Sequence, residues 1–116
     1  MGRHFENIAI EILDKLNNKG FLPFHFKRIG KWWHKEQEID IVAYNETSKQ
    51  AVFGECKWSD KANALEVLKN LKEKASLVPL EREDEYYIIF AKGFKKKITE
   101  DNVILYELKD LEQLLL

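Results

Sequence analysis

The chain has 116 residues, 45% of them hydrophobic and 34% charged, and its 19 basic and 20 acidic side chains leave a net charge of −1. Those figures fit one globular domain, residues 1–116, with a modest core, and exclude a disordered chain. No apolar run approaches a membrane span. Ile8 to Leu16 is broken by Glu11, Asp14 and Lys15, so it is no signal sequence. The one cysteine, Cys56, rules out an internal disulfide and points to a reducing, cytoplasmic setting. The balanced charge gives no global pull toward a polyanion, so a nucleic-acid partner would need the basic residues gathered on one face.

Phe5, Ile8, Ala9, Ile12, Leu13 and Leu16 recur at helical spacing and predict a first helix. Gly20, after Asn17-Asn18-Lys19, suits its left-handed end. The chain starts abruptly at this helix, as a domain cut from a longer protein would. Phe21 to Ile29 reads as extended, with Pro23 restricting it to a sheet edge or to a strand starting just beyond. Ile39 to Tyr44 and Ala51 to Trp58 read as strands joined by the polar loop Asn45 to Gln50.

A second helix follows, with Ser59 or Asp60 as its expected N-cap and Ala64, Leu65, Leu68, Leu71 and Ala75 inward. Tyr86 to Ala91 reads as a buried strand and Val103 to Tyr106 as a short one. Leu108 to Leu115 closes as a helix with Leu108, Leu111 and Leu115 inward. The order predicts an α/β fold: three antiparallel strands, a crossover helix and a parallel fourth strand, giving a mixed central sheet flanked by helices.

Two carboxylates stand out within this sheet. If Tyr44 opposes Ala51, then Val42 opposes Phe53 and Asp40 opposes Glu55, with β-carbons about 5 Å apart. Two carboxylates at that distance repel, and folding alone gives no reason for the pairing. A divalent cation between them removes the objection, and Mg²⁺ or Mn²⁺ favours oxygen ligands. Lys57 lies two residues beyond Glu55 and points to the same face. Metal, carboxylates and ammonium together suit phosphodiester hydrolysis. That reaction needs a deprotonated water and stabilised phosphate charge.

Glu38-Ile39-Asp40-Ile41-Val42, followed by Gly54-Glu55-Cys56-Lys57-Trp58, resembles the PD-(D/E)XK nuclease superfamily. The likeness runs from about Arg3 to Leu77 and is nearest to archaeal Holliday-junction-resolvase-like domains. It is also similar to the nuclease-like domain at the C-terminus of some archaeal ATPases. It implies a restriction-endonuclease-like helix-strand-strand-strand-helix-strand core and a magnesium-dependent endonuclease acting on DNA, with branched DNA as one expected substrate. By that resemblance Asp40 and Glu55 are metal ligands, Cys56 offers its backbone carbonyl, Lys57 is the catalytic lysine and Glu6 assists the metal. Ile39 stands where the superfamily's name has proline.

Other residues carry two readings each. Cys56 faces away from Glu55 and reads as a small buried hydrophobe. His4, His25 and His34 have no paired zinc spacing. Lys31, Trp32, Trp33 and Lys35 suit base stacking and phosphate contact, or else packing and a subunit interface. Lys95, Lys96 and Lys97 suit a DNA backbone or plain solvation. A homodimer would suit two-strand cleavage. The alternative function is a catalytically silent nuclease-fold module that binds DNA or a partner, such as an appendage of an ATPase. A pure oligomerisation domain is the third reading.

Overall fold

Helix α1 (Gly2–Lys19) turns the predicted apolar stripe into a buried face: Phe5, Ala9, Ile12, Leu13 and Leu16 are all covered. It ends as Gly20 predicts. Gly20 adopts φ 71°, its N–H reaches the Asn17 carbonyl at 3.2 Å, and the Phe21 N–H reaches the Leu16 carbonyl at 3.0 Å. The computed structural model describes the backbone of residues 2–115 and the side chains of residues 5–110 and Gln113.

The remaining elements are β1 (Arg28–His34), β2 (Gln37–Asn45), β3 (Gln50–Lys57), β4 (Ala62–Asn63), α2 (Ala64–Ala75), β5 (Asp84–Ala91), β6 (Phe94–Lys96), β7 (Val103–Glu107) and α3 (Leu108–Leu115). Five strands form one sheet in the order β1-β2-β3-β5-β7. β1, β2 and β3 are a meander, and β5 runs parallel to both β3 and β7. One face packs on α1, through Ile41, Ala43, Val52, Ile88 and Phe90. The other packs on α2, through Ala51, Phe53, Tyr87 and Ile89. The expected mixed α/β sheet with flanking helices is present, with the β3–α2–β5 crossover. The inward Leu111 and Leu115 of the sequence reading lie outside the described side chains.

Three local expectations are corrected. Phe21 to Lys27 is not a strand, and the first strand begins at Arg28. Polar side chains take the backbone groups a ladder would use: Asn17 donates to the Phe26 carbonyl at 2.9 Å and accepts its N–H at 3.1 Å. Asn45 donates to the His25 carbonyl at 2.9 Å. Phe24 and Phe26 are buried from this irregular segment. Second, the N-cap of α2 is Asn63, whose side chain accepts the Glu66 N–H at 3.2 Å. Residues 59–62 are instead held to Gly93: the Gly93 N–H meets the Ser59 carbonyl and the Ala62 N–H meets the Gly93 carbonyl, both at 3.1 Å. Third, the helix phase buries Val67 in place of Leu65, which is exposed. The small parallel pair β4–β6 has no counterpart in the sequence reading.

Gly54 occupies the centre of the sheet between Ile41 and Ile88. A β-carbon there would lie 2.9 Å from Ile88 Cγ2 and 3.1 Å from Ile41 Cβ. Gly54→Ala is therefore expected to destabilise the fold by about 1–3 kcal/mol. A lower denaturation midpoint at unchanged slope would show it, and an unchanged midpoint would contradict the packing argument.

Candidate active site

The predicted β2–β3 register is present: Tyr44 opposes Ala51 and Val42 opposes Phe53. The ladder stops at Ile41 opposite Gly54. Beyond it the Asp40 side chain takes over, with Oδ2 accepting the Cys56 N–H at 2.9 Å. The cause lies on the other side of β2. Between the Gly30–Val42 and Trp32–Ile39 pairs, β1 advances two residues and β2 three. The extra residue is a bulge around Asp40. It reverses the side-chain phase, so Ile39 packs toward α2 while Ile41 and Ala43 pack toward α1. The face expected for Asp40, shared with Val42 and Tyr44, assumed strict alternation. At the bulge its carboxylate instead meets Glu6 from α1 as well as Glu55 from β3.

Three carboxylates thus converge. A hydrogen bond with Asp40, helped by burial, raises the Glu6 pKa. Burial opposes ionisation of Asp40. Hydrogen bonds from Glu6, the Cys56 N–H and Glu55 outweigh it and hold Asp40 below the ordinary aspartate range. A carboxyl–carboxylate hydrogen bond needs a shared proton, and the shifts of Glu6 and Asp40 accordingly run in opposite directions. Glu55 is 5% exposed. Burial pushes its pKa up to about 7 despite a hydrogen bond from Lys74 that works the other way, and the Asp40 charge adds to the rise.

Two ammonium groups serve this cluster. Lys74, in the last turn of α2, bonds Glu55 Oε1 and also donates to the Glu38 carbonyl at 2.8 Å. Lys31 on β1 pairs with Glu38 and lies 3.7 Å from Glu6. Lys57 is exposed at the end of β3 and makes no salt bridge among the described residues. Lys74 was not anticipated. Its signal was faint: a lysine three residues after Leu71 and one before Ala75, at the rim of the buried stripe. In place of the expected phosphate contact, Lys31 is tied to carboxylates.

All the side-chain donors are hard oxygens. Asp40, Glu55 and Glu6, with the Cys56 carbonyl, match the chemistry of Mg²⁺ or Mn²⁺. Glu6 and Glu55 each feel the charge of Asp40, a repulsion that a divalent cation would relieve. Among the described residues no group of three or more His, Cys, Asp or Glu side chains is placed to hold a metal ion as it stands. Cys56 is half-buried against the α1 side, and burial and the surrounding carboxylates push its thiol well up, so it is no thiolate nucleophile.

The other predicted contacts separate into groups. Trp32 is half-buried against the α2 core and stacks on His34. Trp33 is 69% exposed, beside exposed Lys35. Lys95 and Lys96 lie exposed on β6, whereas Lys97 pairs with Glu107.

Fold and site together define a mixed α/β domain with an acidic cluster at a bulge in its central sheet. The chain belongs to the DUF234 family, described as archaea bacterial proteins of unknown function, whose model matches residues 1–76. It is 38% identical over 112 residues to an uncharacterized protein, MJECL04, of Methanocaldococcus jannaschii, covering 95% of this chain. The chain spans about a quarter of that relative's length. No solved structure matches. No helix of the described residues is long and apolar enough to cross a membrane.

Proposed function

We propose that this domain is a divalent-metal-dependent deoxyribonuclease of the PD-(D/E)XK type. The observation that carries the reading is the convergence of Glu6, Asp40 and Glu55 at the β2 bulge, where Asp40 accepts the Cys56 N–H and shares hydrogen bonds with both glutamates. Three carboxylates from three separate elements have no folding rationale. Asp40 and Glu55 would hold Mg²⁺ or Mn²⁺ with help from Glu6 and the Cys56 carbonyl. When bound, such a metal supplies Lewis acidity toward a phosphate oxygen and eases deprotonation of water. The Cys56 N–H orients Asp40, and Lys74 fixes one oxygen of Glu55. Lys57, at the exposed end of the same strand, would place its ammonium against the phosphate and the attacking water. Trp33 and Lys35, with Lys31 once it leaves its carboxylates, would meet DNA along the edge strand, and Lys95 and Lys96 along β6.

The test is cleavage of duplex, single-stranded and four-way-junction DNA with Mg²⁺, Mn²⁺ or chelator. Lys57→Ala is expected to cost on the order of 10²-fold in rate. Full activity in that variant would remove Lys57 from the mechanism.

A silent nuclease-fold module is the second reading. It is favoured by Lys74 already pairing with Glu55 and Lys31 lying 3.7 Å from Glu6, and by the far greater length of the relative. In that case the domain could serve as an appendage of an ATPase or another larger protein. DNA binding without cleavage across several metals would select it. For the nuclease, a homodimer would present two sites to two strands, and light scattering at a dimer's mass is the expected result.

A further inference from the structure

Acidic and basic side chains are mixed at both ends of the sheet, but their pairing differs. β1, β3, β5 and β7 all run in one direction, so their C-terminal ends and the start of β2 lie at one end of the sheet. Asp40 and Glu55 are at that end. At the opposite end, Glu81, Glu83, Asp84 and Asp101 line an open acidic concavity. The site end carries, beside its carboxylates, a set of lysines. Lys57 ends β3, Lys61 precedes β4, and Lys95 and Lys96 lie on β6.

These four are exposed and, among the described residues, make no salt bridge. Their neighbours Lys92 and Lys97 are partnered, by Asp60 at 3.4 Å and by Glu107. In the β4–β6 pair Ala62 opposes Phe94 and Asn63 opposes Lys96, so Lys61 lies just before one end of the short ladder and Lys96 at the other. Gly93 locks this unit to the loop after Lys57. A β-carbon there would lie 2.7 Å from the Asp60 carbonyl oxygen. Trp58 anchors the same loop, edge-on to Phe5 at 5.0 Å, with Lys92 Nζ 4.8 Å from its ring centroid.

We propose that Lys61, Lys95 and Lys96 form a phosphate-binding platform, built by the β4–β6 pair, that leads a DNA backbone past Lys57 to the carboxylate cluster. A fixed loop holding several unpaired ammonium groups within a few residues of the acidic site suits a polyanion. A protein surface of mixed charge would leave most of those groups unsatisfied. The platform deepens the DNA reading above, yet its own claim is binding, independent of cleavage.

The experiment is fluorescence anisotropy of labelled 20-nucleotide single-stranded and duplex DNA (lengths chosen to be about two helical turns). It is run in chelator, so that nothing is cut, and across a NaCl series. Lys61→Ala/Lys95→Ala/Lys96→Ala is expected to weaken binding at least about tenfold. Its salt slope should fall by about 2 on single strands and nearly 3 on duplex. A control of equal charge, Lys15→Ala/Lys19→Ala/Lys27→Ala, should bind nearly as well as the unaltered protein, and thermal melting should show all forms folded. Equal losses in both triple variants, or an unaltered protein that binds neither DNA in low salt, overturn the platform. Platform-dependent binding without cleavage in Mg²⁺ or Mn²⁺ upholds it while ending the nuclease reading. Cleavage with binding unchanged in the platform variant does the reverse.

Discussion

Asp40→Asn is expected to leave the domain folded while abolishing measurable DNA cleavage and weakening Mn²⁺ binding on the order of 100-fold. The asparagine oxygen can still accept the Cys56 N–H that Asp40 accepts at 2.9 Å, so the bulge keeps its internal tie. What disappears is one unit of negative charge from a site whose attraction for a dication is mostly electrostatic. Asp40 is held below the ordinary aspartate range, so losing its charge costs some stability, while the strain on Glu6 and Glu55 eases, and thermal stability without metal should change little. That combination separates a ligand from a structural residue, whose loss would lower stability and leave affinity per folded molecule intact. Calorimetric titration with Mn²⁺ and melting on the same samples provide the two readings. Undiminished metal affinity in the variant would remove Asp40 from the site.

Most of the frame was legible because it rests on periodicity. The α1 stripe, the β2–β3 register and the crossover into β5 follow from apolar spacing and loop length, which dominate where elements are long. The irregular parts depend on side chains reaching distant backbone. The segment around Phe24 and Phe26 looks like a strand by composition. It is diverted because Asn17 and Asn45 satisfy its backbone, and neither contact is visible in local sequence. The meeting of Asp40 with Glu55 followed from counting back along the hairpin, although that count assumed a regular strand. The bulge that brings Glu6 into contact arises from β1–β2 pairing, which no periodicity encodes. Lys74 was hidden for another reason: it sits at the rim of a buried stripe whose Ala64, Leu68, Leu71 and Ala75 were legible, and a lysine there reads as solvated. β4 and β6 are only two and three residues long, too short to show any pattern.

Glu55 supplies the sharpest dependence on pH. Its pKa is raised from 4.5 to about 7 by burial, against the opposing Lys74 hydrogen bond. Between those values the folded protein binds a proton that the unfolded chain has released. Stability from this group is therefore fully present below about pH 4.5 and declines as pH rises through 7. The total change is roughly 3 kcal/mol. Glu55→Gln keeps the shape and removes the ionisation, so the variant should lose this slope and melt several degrees above the unaltered protein at pH 8 without metal. The gain should be partly offset by the weakened Lys74 contact. Mg²⁺ or Mn²⁺ reverses the sign for the unaltered protein. A cation held by ionised Glu55 stabilises the fold in proportion to the carboxylate available, so metal-induced stabilisation should grow from pH 6 to pH 8. In Glu55→Gln the metal increment should be small at every pH. Melting curves at four pH values, with and without Mn²⁺, decide it. A metal increment that is flat with pH in the unaltered protein would show that Glu55 does not exchange its proton for the ion.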